Sequence, residues 1–148
     1  MGHDIQEIQT LAQVYADGVM QRDAEIWGST FTEDGEWYLP GMDDPIKGRD
    51  NLKGFWTQVM AGYPCVLHWV QPGIITIEGP EAHARFYVQE HIKDAEGNSF
   101  RVAGVYNDVL HREDNTWKFA TRRFAVLYRG PVDMSGEWMG YPEISPAP

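Results

Sequence analysis

Hydrophobic residues in the first third of the chain recur every three or four positions, the spacing that gathers side chains on one face of a helix. This pattern predicts a first amphipathic helix that ends near Gln21, with Asp4 as N-cap and Glu7 reaching back in a capping box. Asp23 precedes a second, short helix, and Asp50 opens a third. The apolar positions of the first helix are Ile5, Ile8, Leu11, Tyr15 and Val19.

From residue 65 onward, apolar and polar residues alternate with the two-residue period of half-buried strands. Strands are predicted at 65–78, 82–94, 99–111 and 116–128. The short, turn-rich segments between these runs favour an antiparallel meander. Helices followed by a series of strands indicate an α+β domain, with a curved sheet folded over the helices. We expect a single domain over residues 1–148, in which the tail 130–148 packs over a pocket or an interface.

One predicted strand carries a carboxylate on its apolar face. Glu90 alternates in phase with Ala82, Ala84, Phe86, Val88 and Ile92. A buried carboxylate requires a partner or a chemical role, unless a bulge near the strand end turns Glu90 outward. On the next strand Tyr106 and Asp108 share a side with Gly104, whose missing side chain would leave room for a ligand.

The last strand contains two adjacent arginines, Arg122 and Arg123, which must point to opposite faces of the sheet. One of them is therefore expected to be directed inward. In a chain this acidic the inward arginine could pair with Glu90 or Asp108, and a structural ion pair is the commoner role of a single buried arginine.

A histidine interrupts the otherwise apolar strand PCVLHWVQ at residues 64–71. Taken alone, His68 is more often a core histidine bonded to a backbone carbonyl than a catalytic base. Cys65 would face the opposite side of this strand, so a thiolate nucleophile beside His68 is not indicated. The five histidines form no H-x-H or H-E-x-x-H motif, and no metal site is predicted.

Composition narrows the classes of function. The 148 residues, 43% of them hydrophobic, are enough for one globular domain with its own core. A formal net charge of −10 would repel phosphate backbones and anionic membranes, so neither nucleic acid nor membrane is an expected partner. A single cysteine and an N-terminus without a secretory pattern predict a cytoplasmic protein. The sequence has no G-x-S-x-G, P-loop or G-x-G-x-x-G motif, which leaves hydrolase and nucleotide-binding interpretations without support.

Three helices followed by a four-strand meander ending in W-K-F resemble the nuclear-transport-factor-2-like superfamily. The resemblance implies a cone-shaped α+β barrel, with three N-terminal helices packed in a curved, mostly antiparallel sheet. Within the superfamily the chain is most similar to the SnoaL-like group that includes scytalone dehydratase and hexachlorocyclohexane dehydrochlorinase. The matching segments are VYADGVMQRD (14–23), LHW (67–69) and AGVYNDVLHREDNTWKFATRR (103–123).

This resemblance implies a catalytic set. In those lyases a histidine on the first long strand abstracts a proton and an aspartate just after the first helix orients it, and His68 and Asp23 match these positions. Arg122 matches an arginine that assists the leaving group in the dehydrochlorinase. Glu90 matches an acidic position of a bile-acid dehydratase. The expected substrate-binding residues are Tyr15, Trp37, Glu90 and Tyr106.

Two positions depart from the relatives. Ketosteroid isomerase, whose oxyanion-hole tyrosine matches Tyr15, carries its aspartate base just before a proline, whereas here Leu39 precedes Pro40. Isomerisation by that route is therefore not indicated. The dehydrochlorinase has a lysine on its first helix where this chain has Gly18, so its substrate is not carried over.

The resemblance thus implies a cofactor-independent lyase of the dehydratase, dehydrohalogenase or deformylase type. It would act on a hydrophobic, aromatic or polycyclic small molecule through a His68–Asp23 base, with Arg122 and Tyr15 stabilising negative charge. One alternative is a non-catalytic binding or scaffold subunit, like the small subunit of ring-hydroxylating dioxygenases. Another is an isomerase or polyketide cyclase. The superfamily also implies a homo-oligomer, dimer or trimer, formed through the outer sheet face.

Overall fold

The fold is given by a computed structural model that describes residues 2–140, in which three helices and seven strands are present. The helices are α1 (Gly2–Gln21), α2 (Ala24–Gly28) and α3 (Arg49–Ala61). The strands are β1 (Phe31–Tyr38), β2 (Ile46–Lys47), β3 (Cys65–Val70), β4 (Ile74–Glu78), β5 (Glu81–Lys93), β6 (Ser99–Glu113) and β7 (Thr116–Pro131).

The strands form one curved sheet in the order β2-β1-β7-β6-β5-β3, and β4 pairs with the first half of β5. Neighbouring strands are antiparallel except β1 and β7, which are parallel. Along β5 the side chains alternate between buried and exposed, so one face of the sheet packs against the helices. The predicted α+β cone with its mostly antiparallel sheet is confirmed.

The predicted capping box at the start of α1 is wrong, because α1 begins at Gly2 and Asp4 lies inside its first turn. The Asp4 carboxylate instead accepts hydrogen bonds from the Trp117 indole at 3.0 Å and from Arg112 at 2.5 Å. Glu7 accepts another from the Trp117 backbone N–H at 2.7 Å. These carboxylates therefore attach the N-terminal end of α1 to the β6–β7 hairpin.

The starts of the other two helices depend on local backbone geometry. Asp23 caps α2 as predicted, because its Oδ1 accepts two backbone N–H groups of the first turn at 2.9 and 3.0 Å. Helix α3 begins at Arg49, one residue before the predicted Asp50. Its N-cap is Gly48, whose φ of 93° is a conformation that favours glycine.

The segment predicted as one strand over 65–78 forms two strands, because Pro72 and Gly73 interrupt it. Pro72 has no N–H for a ladder hydrogen bond. The backbone of Gly73 is held by the Gln9 side chain, which accepts from Gly73 N at 2.8 Å and donates to Gly73 O at 3.0 Å. The three later strands are confirmed, with ends that differ by at most three residues.

The core is dominated by aromatic rings from all three helices and from strands β1, β5, β6 and β7. Trp27 of α2 is fully buried, stacks on Trp56 of α3 at 5.0 Å and contacts Trp37 of β1 at 5.2 Å. Tyr15 of α1 and Phe31 of β1 extend this cluster. Packing of this kind contributes about 0.5–1.5 kcal/mol per aromatic pair beyond area burial, and it fixes the helices against one side of the sheet.

The tail after β7 is only partly described. Strand β7 extends to Pro131, and residues 132–140 follow without helix or strand. Trp138 and Met139 are 41% and 79% exposed, so the apolar residues of this stretch do not pack into the core. The rest of the predicted covering tail, 141–148, lies outside the described residues. None of the described helices is both long and apolar enough to cross a membrane.

Candidate functional site

A pocket of about 200 Å³ lies between the inner face of the sheet and helices α1 and α3. Most of its lining is aromatic or aliphatic, and Trp37 of β1 and Phe55 of α3 both contribute to it. The side chains with polar atoms in the lining are those of His68 and Glu90, of three tyrosines (Tyr15, Tyr63 and Tyr106) and of two tryptophans (Trp37 and Trp56). All four residues expected to bind substrate therefore line this pocket, together with His68.

His68 and Glu90 form a hydrogen-bonded pair in the pocket wall. They lie opposite each other on β3 and β5, and His68 Nδ1 is 3.0 Å from Glu90 Oε2. The His68 side chain is 3% exposed and that of Glu90 23%. Because the carboxylate accepts the Nδ1 proton, the neutral tautomer leaves the Nε2 lone pair unprotonated. Nε2 has no hydrogen-bond partner among residues 2–140, so this atom can accept a proton from a bound molecule.

Asp23 is placed differently from the prediction. Its carboxylate caps α2, and the described residues contain no hydrogen bond between Asp23 and His68. Asp23 is also not part of the pocket lining. The carboxylate that holds the imidazole is that of Glu90, and the catalytic role of Asp23 stays a prediction.

Two tyrosine hydroxyls meet beside the imidazole. Tyr15 Oη and Tyr106 Oη are 2.9 Å apart, and the Tyr15 ring centroid lies 5.8 Å from that of His68. Burial raises the pKa of Tyr15, and it raises the pKa of Tyr106 well above its ordinary value. Both phenols are therefore protonated at neutral pH. One hydroxyl donates to the other, which leaves the second proton for a ligand in the pocket.

Arg122 is the inward arginine, and it lies behind the tyrosines. Its Nε and Nη2 donate to the two carboxylate oxygens of Asp108 at 2.8 and 3.0 Å. Its guanidinium carbon stands 3.7 Å from the centroid of the Tyr106 ring and 4.4 Å from that of Tyr15. Arg122 is 1% exposed and does not line the pocket, and its expected assistance to a leaving group stays a prediction.

The Arg122–Asp108 pair is mostly ionised at pH 7. Burial raises the pKa of Asp108 to about 6, although the adjacent guanidinium favours the carboxylate form. Asp108 raises the pKa of Arg122 against the opposing effect of burial. The sequence left open whether the inward arginine pairs with Glu90 or with Asp108. In the structure Arg122 pairs with Asp108.

Two glycines allow close contacts with aromatic residues near the pocket. A side chain on Gly18 would come within 2.8 Å of the Trp27 backbone nitrogen, so a lysine at this position would require helices α1 and α2 to move apart. A side chain on Gly104 would collide with the ring of Phe124, which lines the pocket. The room expected beside Gly104 is therefore occupied by Phe124.

No group of three or more His, Cys, Asp or Glu side chains within residues 2–140 is arranged to hold a metal ion. The described part of the tail, 132–140, does not contribute to the pocket lining. The indole nitrogen of Trp37 is buried and has no hydrogen-bond partner in the part of the chain that the structure describes. Because Trp37 lines the pocket, this N–H group is a further hydrogen-bond donor in the pocket wall.

Comparison with known families agrees with this fold. The SnoaL-like domain family matches residues 2–123. The chain belongs to this SnoaL-like family. Solved dehydratase and dehydrochlorinase structures have the same nuclear-transport-factor-2-like fold. No curated protein matches the sequence.

Three solved structures illustrate what this SnoaL-like chain is similar to. A candidate aromatic ring hydroxylase from Novosphingobium aromaticivorans shares 26% identity at a TM-score of 0.81, over 89% of this chain and 95% of that one. A hexachlorocyclohexane dehydrochlorinase from Novosphingobium barchaimii shares 22% identity at a TM-score of 0.77, over 93% of this chain and 94% of that one. A candidate scytalone dehydratase from Novosphingobium aromaticivorans shares 20% identity at a TM-score of 0.76, over 97% of this chain and 94% of that one. The last two likenesses establish the fold alone.

Prediction from the sequence alone missed two features of this SnoaL-like site. It assigned Glu90 to substrate binding, although the in-phase alternation of β5 already marked a carboxylate on the inner face. The pairing of Glu90 with His68 depends on the β3–β5 register, which alternation does not give. It also missed Phe124, whose position follows from the β6–β7 register opposite Tyr106.

Proposed function

We propose that the chain is a cofactor-independent lyase of the dehydratase or dehydrohalogenase type, with His68 as general base and a hydrophobic small molecule as substrate. The observation that carries this proposal is the His68 Nδ1–Glu90 Oε2 contact of 3.0 Å in an otherwise apolar pocket. A carboxylate behind an imidazole fixes its tautomer and stabilises the imidazolium that proton transfer creates. In this proposal Glu90 orients the base, and Asp23 holds helix α2.

The proposed elimination needs only side chains of this chain. His68 Nε2 takes a proton from a carbon next to an electron-withdrawing group, the C–H electron pair forms the double bond, and the leaving group departs with its bonding electrons. Where the withdrawing group is a carbonyl, negative charge collects on its oxygen. The Tyr15–Tyr106 hydroxyl pair supplies a donor for that oxygen in surroundings with little water.

The proposal is tested with 3-hydroxycyclohexanone and 3-chlorocyclohexanone, which both lose HX to give 2-cyclohexenone, followed by ultraviolet absorbance. His68→Gln is expected to lower kcat by about 10²–10⁴-fold, the usual contribution of a general base. Exchange of the α-protons of cyclohexanone in D₂O, followed by NMR, measures proton abstraction without a leaving group. Equal rates for wild type and His68→Gln in both assays would exclude His68 from the chemistry.

A second candidate function is a binding or scaffold subunit of a ring-hydroxylating enzyme. It is favoured by the likeness to the candidate aromatic ring hydroxylase at 26% identity. The outer sheet face supports an assembly, because Trp69, Tyr87 and Leu127 are 48%, 42% and 62% exposed. We propose a homo-oligomer through this face, which sedimentation of wild type and Leu127→Glu would test. Stable co-purification with a larger partner, with no His68-dependent proton exchange, would favour the scaffold function.

A further inference from the structure

Phe124 has a position that the proposed chemistry does not use. It faces Tyr106 across the β6–β7 ladder, and the two ring centroids are 4.8 Å apart. Its ring lies over Gly104, where even a single added carbon atom would collide with it. Phe124 is partly buried and forms part of the pocket wall. Gly104 and Phe124 are therefore a matched pair, in which the missing side chain of one accommodates the ring of the other.

The pocket that Phe124 lines is small. Its volume is about 200 Å³, whereas an apolar cavity of about 150 Å³ already holds one benzene molecule. A single six-membered ring with one or two small substituents fits this space. A second fused ring needs additional room, and the ring of Phe124 fills the space above Gly104 in the pocket wall.

The charges around the pocket restrict the ligand further. Glu90 contributes a carboxylate to the lining, and no lysine or arginine of the described chain lines the pocket. Arg122, the closest buried cation to the tyrosines, is already paired with Asp108 through two hydrogen bonds. A carboxylate or phosphate on the ligand would therefore lose its hydration without gaining a cationic partner.

We infer that Phe124, seated on Gly104, determines the specificity of this pocket, and that the pocket takes neutral molecules with one ring. This narrows the aromatic or polycyclic class expected from the sequence. The chemistry of the ligand class rests on the proposed lyase function, whereas the size limit rests on the pocket volume and the Phe124–Gly104 contact. The inference is therefore tested by binding and not by turnover.

The probes are phenol, 2-naphthol and 4-hydroxybenzoate, titrated by calorimetry at neutral pH. Phenol is neutral with one ring, 2-naphthol is neutral with two fused rings, and 4-hydroxybenzoate adds a negative charge to the phenol. Wild type is expected to bind phenol at least about 10-fold more tightly than either of the others, since a small steric mismatch in an apolar pocket produces a difference of this size. Similar affinities for all three probes, or no binding of phenol, would overturn the inference.

Phe124→Ala should reverse the preference between phenol and 2-naphthol by about 10-fold or more, because it opens the space above Gly104. Phe124→Leu, which keeps a larger side chain, should show a smaller shift and serves as the test if the alanine variant does not fold. Tyr128→Ala is the matched control, since Tyr128 is an aromatic residue of the same strand but is 43% exposed and outside the pocket. An unchanged ratio in both Phe124 variants would show that another residue sets the limit.

His68→Gln separates this inference from the proposed function. The variant should keep the preference for one ring, because Phe124 is untouched, while losing elimination. A retained size preference without any His68-dependent elimination in wild type would refute the lyase proposal alone. Elimination from two-ring ketones at the rate for cyclohexanones would refute the size limit alone.

Discussion

His68 and Glu90 occupy directly opposite positions on the antiparallel strands β3 and β5, with Nδ1 and Oε2 3.0 Å apart. Side chains at such positions have Cβ atoms about 4.5–5.5 Å apart, so the register of the sheet itself holds the imidazole. A slip of one residue would move Glu90 to the outer face and leave His68 without its partner. The candidate base is therefore built on a rigid element of the fold.

Glu90 should matter more to catalysis than Asp23. We expect Glu90→Gln to lower kcat for 3-chlorocyclohexanone by about 10²-fold, within the range of a general base that has lost its orientation. Asp23→Asn should change kcat less than about threefold and leave stability almost unchanged, because asparagine caps helices as well as aspartate. Steady-state kinetics of both variants measure the difference. A larger loss of kcat in Asp23→Asn than in Glu90→Gln would indicate that Asp23, and not Glu90, orients His68.

The buried ion pair should be far more sensitive to single than to double replacement. Asp108→Asn leaves the guanidinium of Arg122, which is 1% exposed, without a counter-ion. We expect unfolding in urea to show a loss of about 3–5 kcal/mol. The double variant Asp108→Leu with Arg122→Met should recover most of this loss, since an apolar replacement avoids the buried charge. Additive losses in the double-mutant cycle would contradict the coupling.

The α1 attachment gives a pH dependence with a defined sign. The hydrogen bond from Trp117, and then that from Arg112, lowers the pKa of Asp4 from 3.8. A carboxyl group with a lower pKa in the folded state contributes stability above its unfolded pKa and loses it as the pH falls through the folded value. The melting temperature of Asp4→Asn should thus lie below that of wild type at pH 7. The two values should converge as the pH falls through the lowered pKa of Asp4, and a difference that grows on acidification would have the wrong sign.

Two helix glycines should respond oppositely to alanine. Gly54 of α3 has open space around its Cα, so Gly54→Ala should stabilise the protein by about 0.5–1 kcal/mol through helix propensity. Gly18→Ala gains the same propensity but places a carbon 2.8 Å from the Trp27 backbone. Overpacking of this kind costs about 1–3 kcal/mol. Urea unfolding of both variants measures the difference in stability. Equal stabilisation would show that α1 and α2 move apart at little energetic cost.

Several elements could be predicted because their signals are local. The in-phase residues of β5 placed Glu90 on the inner face, and Asp23 was identified as a helix cap from its own neighbours. The first helix was found from its period, but its start was misplaced, since Asp4 bonds to Trp117, a residue 113 positions away. The split at Pro72 and Gly73 was also missed, because Gln9 of α1 holds that backbone.

The sequence by itself determined the α+β class, the inward faces of the strands and the residue types available for chemistry, because periodicity and helix caps depend on near neighbours. Only the tertiary structure decided which carboxylate meets His68, that Arg122 is held by Asp108 behind two tyrosine rings, and that Phe124 fills the space over Gly104. Each of these depends on strand register and on packing between residues distant in the chain. Alternation specifies a face of the sheet, whereas the ladder hydrogen bonds specify the partner.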